Sequence, residues 1–133
     1  MRATATAFAC LLLLLGSQSF AQSDFSSEAR SIVPAEIQAR RADGTAPVVI
    51  DVRTAEEYAA GHIPGAVNIP FDQVAARISE VDAPHGVALY CMVGPRARKG
   101  EAALLSAGHE SVLHLEGGMA AWQAAGLPIV QQP

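Results

Sequence analysis

The sequence predicts an α/β fold, a parallel central sheet of about five strands with helices on both faces. Three observations carry this expectation. Short apolar runs recur, and the strongest, Val48-Val49-Ile50-Asp51-Val52 and Val87-Ala88-Leu89-Tyr90, are continuous rather than alternating, as in strands buried on both faces. Amphipathic stretches with helix start and stop signals separate the runs at short intervals, the alternation that builds a parallel sheet. The 133 residues show no internal repeat and suffice for one compact domain, not two.

In chain order, Ser31-Ile32-Val33 is a weak first strand. Pro34 suits a first helical position and opens a helix over 35–41. Residues 48–52 form the second strand. Thr54 and Glu57 make a capping box for a short helix over 55–60, and Gly61 is placed to end it. Ala66-Val67-Asn68 is another weak strand. Phe71, Val74, Ala75, Ile78 and Val81 recur at helical spacing and predict one buried helix face. The strand at 87–90 leads through a cysteine-containing turn to a helix over 96–107, with Gly108 as its stop. Ala97, Gly100, Leu104 and Ala107 form a side small enough to sit close on a sheet. Ser111-Val112-Leu113-His114-Leu115 is the last strand, and a helix over 119–125 ends at Gly126 and Pro128.

The first 21 residues stand apart from this pattern. Arg2 supplies a charged start, the next residues an apolar core ending in five leucines, and Ser19-Phe20-Ala21 a small-x-small cleavage site. They read as a secretory signal peptide cut before Gln22. The apolar stretch is too short for a membrane span, which needs roughly 20 residues. Cys10 precedes the leucine run, the wrong order for a lipoprotein. Residues 22–30 are expected to be a flexible lead-in and 31–133 the domain proper. An exported, periplasmic protein with no membrane association after cleavage is the expectation.

The formal net charge is −4, and loss of Arg2 with the signal makes the mature chain one unit more acidic. Such a surface argues against nucleic acid and anionic membranes as partners. Cleavage also removes Cys10, leaving Cys91 as the single cysteine, so no internal disulfide can form. In an oxidising compartment a lone thiol is a liability unless it is buried or used.

Cys91-Met92-Val93-Gly94-Pro95-Arg96 places that thiol at a strand-to-helix turn. In parallel sheets, ligands bind outside the carboxyl ends of the strands, and Cys91 lies at one such end. Successive N–H groups of the turn and the positive end of the following helix stabilise a sulfur anion. Gly94 permits a backbone conformation that a side chain would obstruct. Pro95 contributes no N–H but stiffens the exit into the helix. Arg96 is the candidate for binding an anionic donor, since guanidinium forms paired hydrogen bonds with oxyanions. The competing reading makes Cys91 a small buried hydrophobe and Arg96 a solvated side chain. Arg98 and Lys99 are read as steering charge.

Three segments coincide: Asp51-Val52-Arg53 with Glu56-Glu57-Tyr58, then residues 61–70, Gly-His-Ile-Pro-Gly-Ala-Val-Asn-Ile-Pro, then the cysteine loop. Together they closely resemble the rhodanese homology domain. The likeness continues through Leu115-Glu116-Gly117-Gly118-Met119, Ala121-Trp122 and Ala125-Gly126-Leu127-Pro128, so it spans the chain from Ser31. An exported single-domain chain of this kind resembles the small periplasmic rhodaneses. The resemblance implies sulfurtransferase chemistry. The cysteine at the position of Cys91 takes the outer sulfur of a donor such as thiosulfate, becomes a persulfide, and passes that sulfur to cyanide or a thiol. It implies no cofactor and no metal, a small anionic donor, a cyanide or thiol acceptor, a protein as a further possible acceptor, and a monomer.

Asp51 invites an acid–base role, but a carboxylate at a buried strand end is more readily a structural support held by backbone N–H groups and Arg53. His62 lies in the Gly-His-Ile-Pro-Gly framework turn and would act only within hydrogen-bond reach of Cys91. His85, His109 and His114 make no metal-binding pattern. Gly117-Gly118 are placed to let backbone approach the cysteine loop, and Trp122 is a core anchor. A cysteine phosphatase or arsenate reductase is the rival enzyme, but its loop has five residues between cysteine and arginine. Here four separate Cys91 from Arg96, a size suited to one sulfur atom. A persulfide carrier delivering to another protein is the alternative with more weight, because Met92 and Val93 make the loop wall apolar.

Overall fold

The computed structural model describes residues 28–132; the signal sequence expected over 1–21 lies outside them. Five strands form one parallel sheet: β1 (Arg30–Ile32), β2 (Val48–Asp51), β3 (Val67–Asn68), β4 (Val87–Tyr90) and β5 (Val112–Leu115). Their spatial order is β1-β5-β4-β2-β3, so the strands of the two strongest apolar runs, β2 and β4, sit inside and the weak ones form the edges. Five helices connect or follow them: α1 (Pro34–Asp43), α2 (Ala55–Ala60), α3 (Val74–Arg77), α4 (Pro95–Ser106) and α5 (Gly118–Ala124).

Period-two alternation along the central strands divides the interior into two cores. Ile50 and Leu89 point to one side, where they meet Val74 of α3 and Ala97 and Leu104 of α4. Val49, Ala88 and Tyr90 point to the other, against Ile37 of α1 and Met119 and Trp122 of α5. Helices therefore cover both faces, and no helix among the described residues is long and apolar enough to cross a membrane.

Three local differences from the sequence expectation have physical causes. The lead-in ends sooner than residue 30: Ala29 is buried in the core beneath α4, and Arg30 pairs with Leu113 as the first residue of β1. The helix expected from Phe71 to Val81 is only α3 followed by a 3-10 turn over Ile78–Glu80. Phe71 donates its N–H to Val52 O, continuing the sheet, and Val81 is already extended. Ala75 consequently lies exposed, whereas Val74 is buried. On α4 the buried side is Ala97, Gly100, Glu101 and Leu104; Ala107 caps the helix in solvent and Glu101 takes an inward position. Gly100 lets α4 sit close there, since a Cβ would lie 3.1 Å from both Leu89 and Val74 side chains.

Candidate active site

Cys91 follows β4 directly and is 1 % exposed. Its Sγ accepts a hydrogen bond from the Gly94 N–H at 3.1 Å, so the turn aims an amide at the sulfur. Gly94 reaches this arrangement at φ +138°, a conformation that side chains avoid. Pro95 is the first residue of α4, where its missing N–H leaves no gap in the helix. Met92 and Val93 are 40 % and 63 % exposed and form an apolar rim.

α5 holds the loop from its other side. Met119 N–H donates to Cys91 O at 2.9 Å and Ala120 N–H to Met92 O at 3.1 Å. Gly118, at φ +57°, makes this approach possible, because a Cβ there would stand 2.4 Å from Cys91 O. The loop's carbonyls thus satisfy amides at the start of α5 that have no partner within the helix.

Arg96 does not project freely. Its Nη1 and Nη2 donate to Glu57 Oε1 and Oε2 at 2.7 and 3.0 Å, joining the first turn of α4 to α2. These hydrogen bonds hold the Glu57 carboxyl below its usual range and raise the Arg96 guanidinium, to which the nearby Cys91 also contributes. Thr54 still caps α2, its Oγ1 accepting the Glu57 N–H at 3.2 Å. Capping was legible in the sequence; the pairing with Arg96, 39 residues away, was not. Arg98 turns from the loop toward Ala29 O and Glu101, and Lys99 lies over the Phe71 ring.

Asp51 and Arg53 are locked together. Oδ1 accepts from the Arg53 N–H and Nε at 3.0 Å each, and Oδ2 from Arg53 Nη2 and the Tyr90 hydroxyl at 2.7 Å each. Burial pulls the Arg53 guanidinium down, but its hydrogen bond and charge contact with Asp51 leave it raised. Burial, then the Asp51 charge, drives the Tyr90 hydroxyl far above its usual value, so it stays a proton donor. The network also fixes the 61–69 segment, since Tyr90 Oη accepts the Ile63 N–H, Arg53 Nη2 donates to Gly61 O, and Asn68 Nδ2 donates to Asp51 O and Arg53 O. His62 lies in the same framework: its Nδ1 is 2.8 Å from Tyr58 O and its ring stacks on Tyr58.

A shallow pocket of about 260 Å³ opens beside the loop, lined by Arg53, Glu57, Gly61, Met92, Met119 and Ile129. A larger one of about 470 Å³ includes Gly86, Val87, Ser111 and Val112, at the opposite ends of β4 and β5. Its size carries no functional weight, because Cys91 lies at the other end of the sheet. Two further buried groups touch each other beneath Gly94: His114, which the sequence offered only as a strand residue outside any metal pattern, and Glu101, which it did not single out.

Comparison with known proteins agrees with this geometry. A family described as Rhodanese-like domain matches residues 33–125. A protein named Sulfurtransferase from Allochromatium vinosum is 40 % identical over 91 residues, which cover 68 % of this chain and 85 % of that one. A thiosulfate sulfurtransferase GlpE from Pseudomonas entomophila is 34 % identical over 98 residues, covering 74 % of this chain and 88 % of that one. Among solved structures, a rhodanese-related protein from Thermoplasma volcanium superposes with a TM-score of 0.66 at 28 % identity, over 76 % of this chain and 97 % of that one. Cysteine turn, parallel sheet and relatives converge: the chain belongs to the rhodanese-like domain family, which includes sulfurtransferases.

Proposed function

We propose that this protein is a thiosulfate sulfurtransferase acting through a persulfide on Cys91. The Cys91 thiolate attacks the outer sulfur of thiosulfate; the new S–S bond forms as the old one breaks, and sulfite leaves with the bonding pair. The persulfide keeps one negative charge. An acceptor, cyanide or a thiolate, then attacks the terminal sulfur and returns Cys91 as thiolate. The observation that carries this reading is the Gly94 amide aimed at Sγ at the carboxyl end of β4. A donor fixed before the reaction stabilises sulfur anions without reorganisation.

Arg96 receives the donor's oxyanion end, exchanging its Glu57 partner for sulfite oxygens. The protein works in the periplasm as a soluble monomer once its leader is removed. Thiosulfate should add one sulfur atom to Cys91 in intact-protein mass spectra, and Cys91→Ser should abolish both this increment and thiocyanate production. Turnover by the serine variant would sink the mechanism.

Delivery of the sulfur to another protein is a second reading, favoured by the exposed apolar Met92, Val93 and Ile129 beside the sulfur. Persulfidated protein transferring its label to a protein thiol faster than to a small thiol at equal concentration supports it.

A further inference from the structure

Glu101 and His114 are buried ionisable side chains that the reaction above leaves unused. Leu89 of β4 pairs with His114 of β5, so the two side chains leave the sheet on the same face, and Cys91, two residues beyond Leu89, leaves on that face as well. α4 covers it. There Glu101, 1 % exposed, meets His114, 5 % exposed, with Oε1 2.5 Å from Nδ1. Among the described residues, Glu101 Oε2 accepts no hydrogen bond, and Arg98 Nη1 is 3.6 Å from it. Glu28 also faces this carboxylate, adding a negative charge.

The far edge of the imidazole supports the cysteine loop. A Cβ on Gly94 would lie 3.6 Å from His114 Cε1 and 3.7 Å from Nε2, so the ring edge faces the residue whose N–H reaches Cys91 Sγ, at a spacing that a methyl group would fill. A continuous chain results: Glu101 carboxylate, His114 ring, Gly94 amide, Cys91 sulfur. Burying such a pair carries a desolvation penalty, visible in the upward push that burial gives the Glu101 carboxyl, and an apolar pair of similar volume would pack without it. What the polar pair adds is orientation. With Nδ1 tied to a carboxylate, the ring cannot rotate or withdraw from Gly94.

We infer that Glu101 and His114 are positioning residues of the cysteine loop: the carboxylate fixes the imidazole, and the imidazole fixes the Gly94 N–H on the sulfur, favouring its anionic form. The inference rests on Cys91 being the sulfur carrier proposed above. Neither residue touches the reacting sulfur.

The test is a pH titration of thiolate ultraviolet absorbance, each variant measured as the difference from the same variant carrying Cys91→Ser, which cancels tyrosine and other thiols. His114→Leu and Glu101→Leu should each move the Cys91 midpoint upward by about half a pH unit or more, roughly threefold in thiolate at fixed pH. Glu101→Gln keeps an acceptor for the Nδ1 proton and should hold the midpoint near wild type. Because either leucine variant strands a buried polar partner and can fail to fold, Glu101→Leu/His114→Leu removes both and should fold while keeping the upward shift. A folded double variant titrating like wild type overturns the inference. So does a Glu101→Gln shift as large as that of Glu101→Leu, which would assign the effect to charge rather than positioning. The two readings fail separately: absence of sulfur on Cys91 after thiosulfate refutes the transfer mechanism, and persulfide formation with an unmoved midpoint refutes only the positioning role.

Discussion

Arg96 and Glu57 face each other across the gap between α4 and α2, Nη1 donating to Oε1 and Nη2 to Oε2. The side chain best suited to hold an anionic donor is already holding an anion. Donor binding therefore competes with Glu57. Partly exposed pairs of this kind contribute up to about 1 kcal/mol, so Glu57→Gln should lower the KM for thiosulfate by up to roughly fivefold. Arg96→Ala should raise it by roughly tenfold or more, the loss of a charge-assisted contact. Steady-state thiocyanate assays decide both; an unchanged KM in Arg96→Ala reassigns that side chain to the surface.

Two carboxyls should respond to pH in opposite directions. Glu57 is depressed by Arg96, so its stabilising contribution is present above the ordinary carboxylate value and is lost as pH falls through its lower folded value. Glu101 is raised, first by burial, so its contribution is present below the ordinary value and is lost as pH rises through its higher folded one. In urea unfolding, the stability gap between wild type and Glu57→Gln should shrink toward acid pH. Relative to wild type, Glu101→Gln should gain stability as pH rises from acid toward neutrality. Parallel pH profiles for both variants would contradict these assignments.

Asp51→Asn leaves the buried Arg53 guanidinium without its counter-charge and should destabilise the domain by about 3 to 5 kcal/mol. Tyr90→Phe strands the buried Ile63 N–H and takes one of its hydrogen bonds from Asp51 Oδ2, which keeps Arg53 Nη2, a loss of about 1 to 3 kcal/mol. Denaturant titration measures both, and Asp51→Asn should be the larger.

Gly118→Ala would place a methyl group against Cys91 O and should displace the loop more than it unfolds the protein. The expected result is a fall of roughly a hundredfold in the single-turnover rate of sulfur uptake with a near-native circular dichroism spectrum. A native rate would show that the loop tolerates separation from α5.

Much of this was readable before any coordinates. Continuous apolar runs at 48–52 and 87–90 place the central strands because strands buried on both faces admit no polar alternation. The cysteine turn was legible because Gly94, Pro95 and the following helix are local signals. Local signals also misled: Phe71 has the right spacing for a helix, yet its N–H serves the sheet at Val52 O. Contacts between distant segments left no trace in periodicity. Nothing in the pattern of α4 distinguishes an inward Glu101 from a solvated one until β5 brings His114 beneath it, and Glu57 reads as a capping residue until α4 brings Arg96 across.

The hold of α5 on the loop has a consequence for the sign of the field that a sulfur anion meets. Peptide groups are dipoles, and the Cys91 and Met92 oxygens are turned toward α5 amides. Their lone pairs are thereby withdrawn from the bowl around Sγ, while the Gly94 hydrogen points inward. An anion growing on Cys91 meets the positive end of the Gly94 peptide dipole, while the Cys91 and Met92 oxygens are engaged by α5, a polarity set by backbone and indifferent to which donor or acceptor arrives.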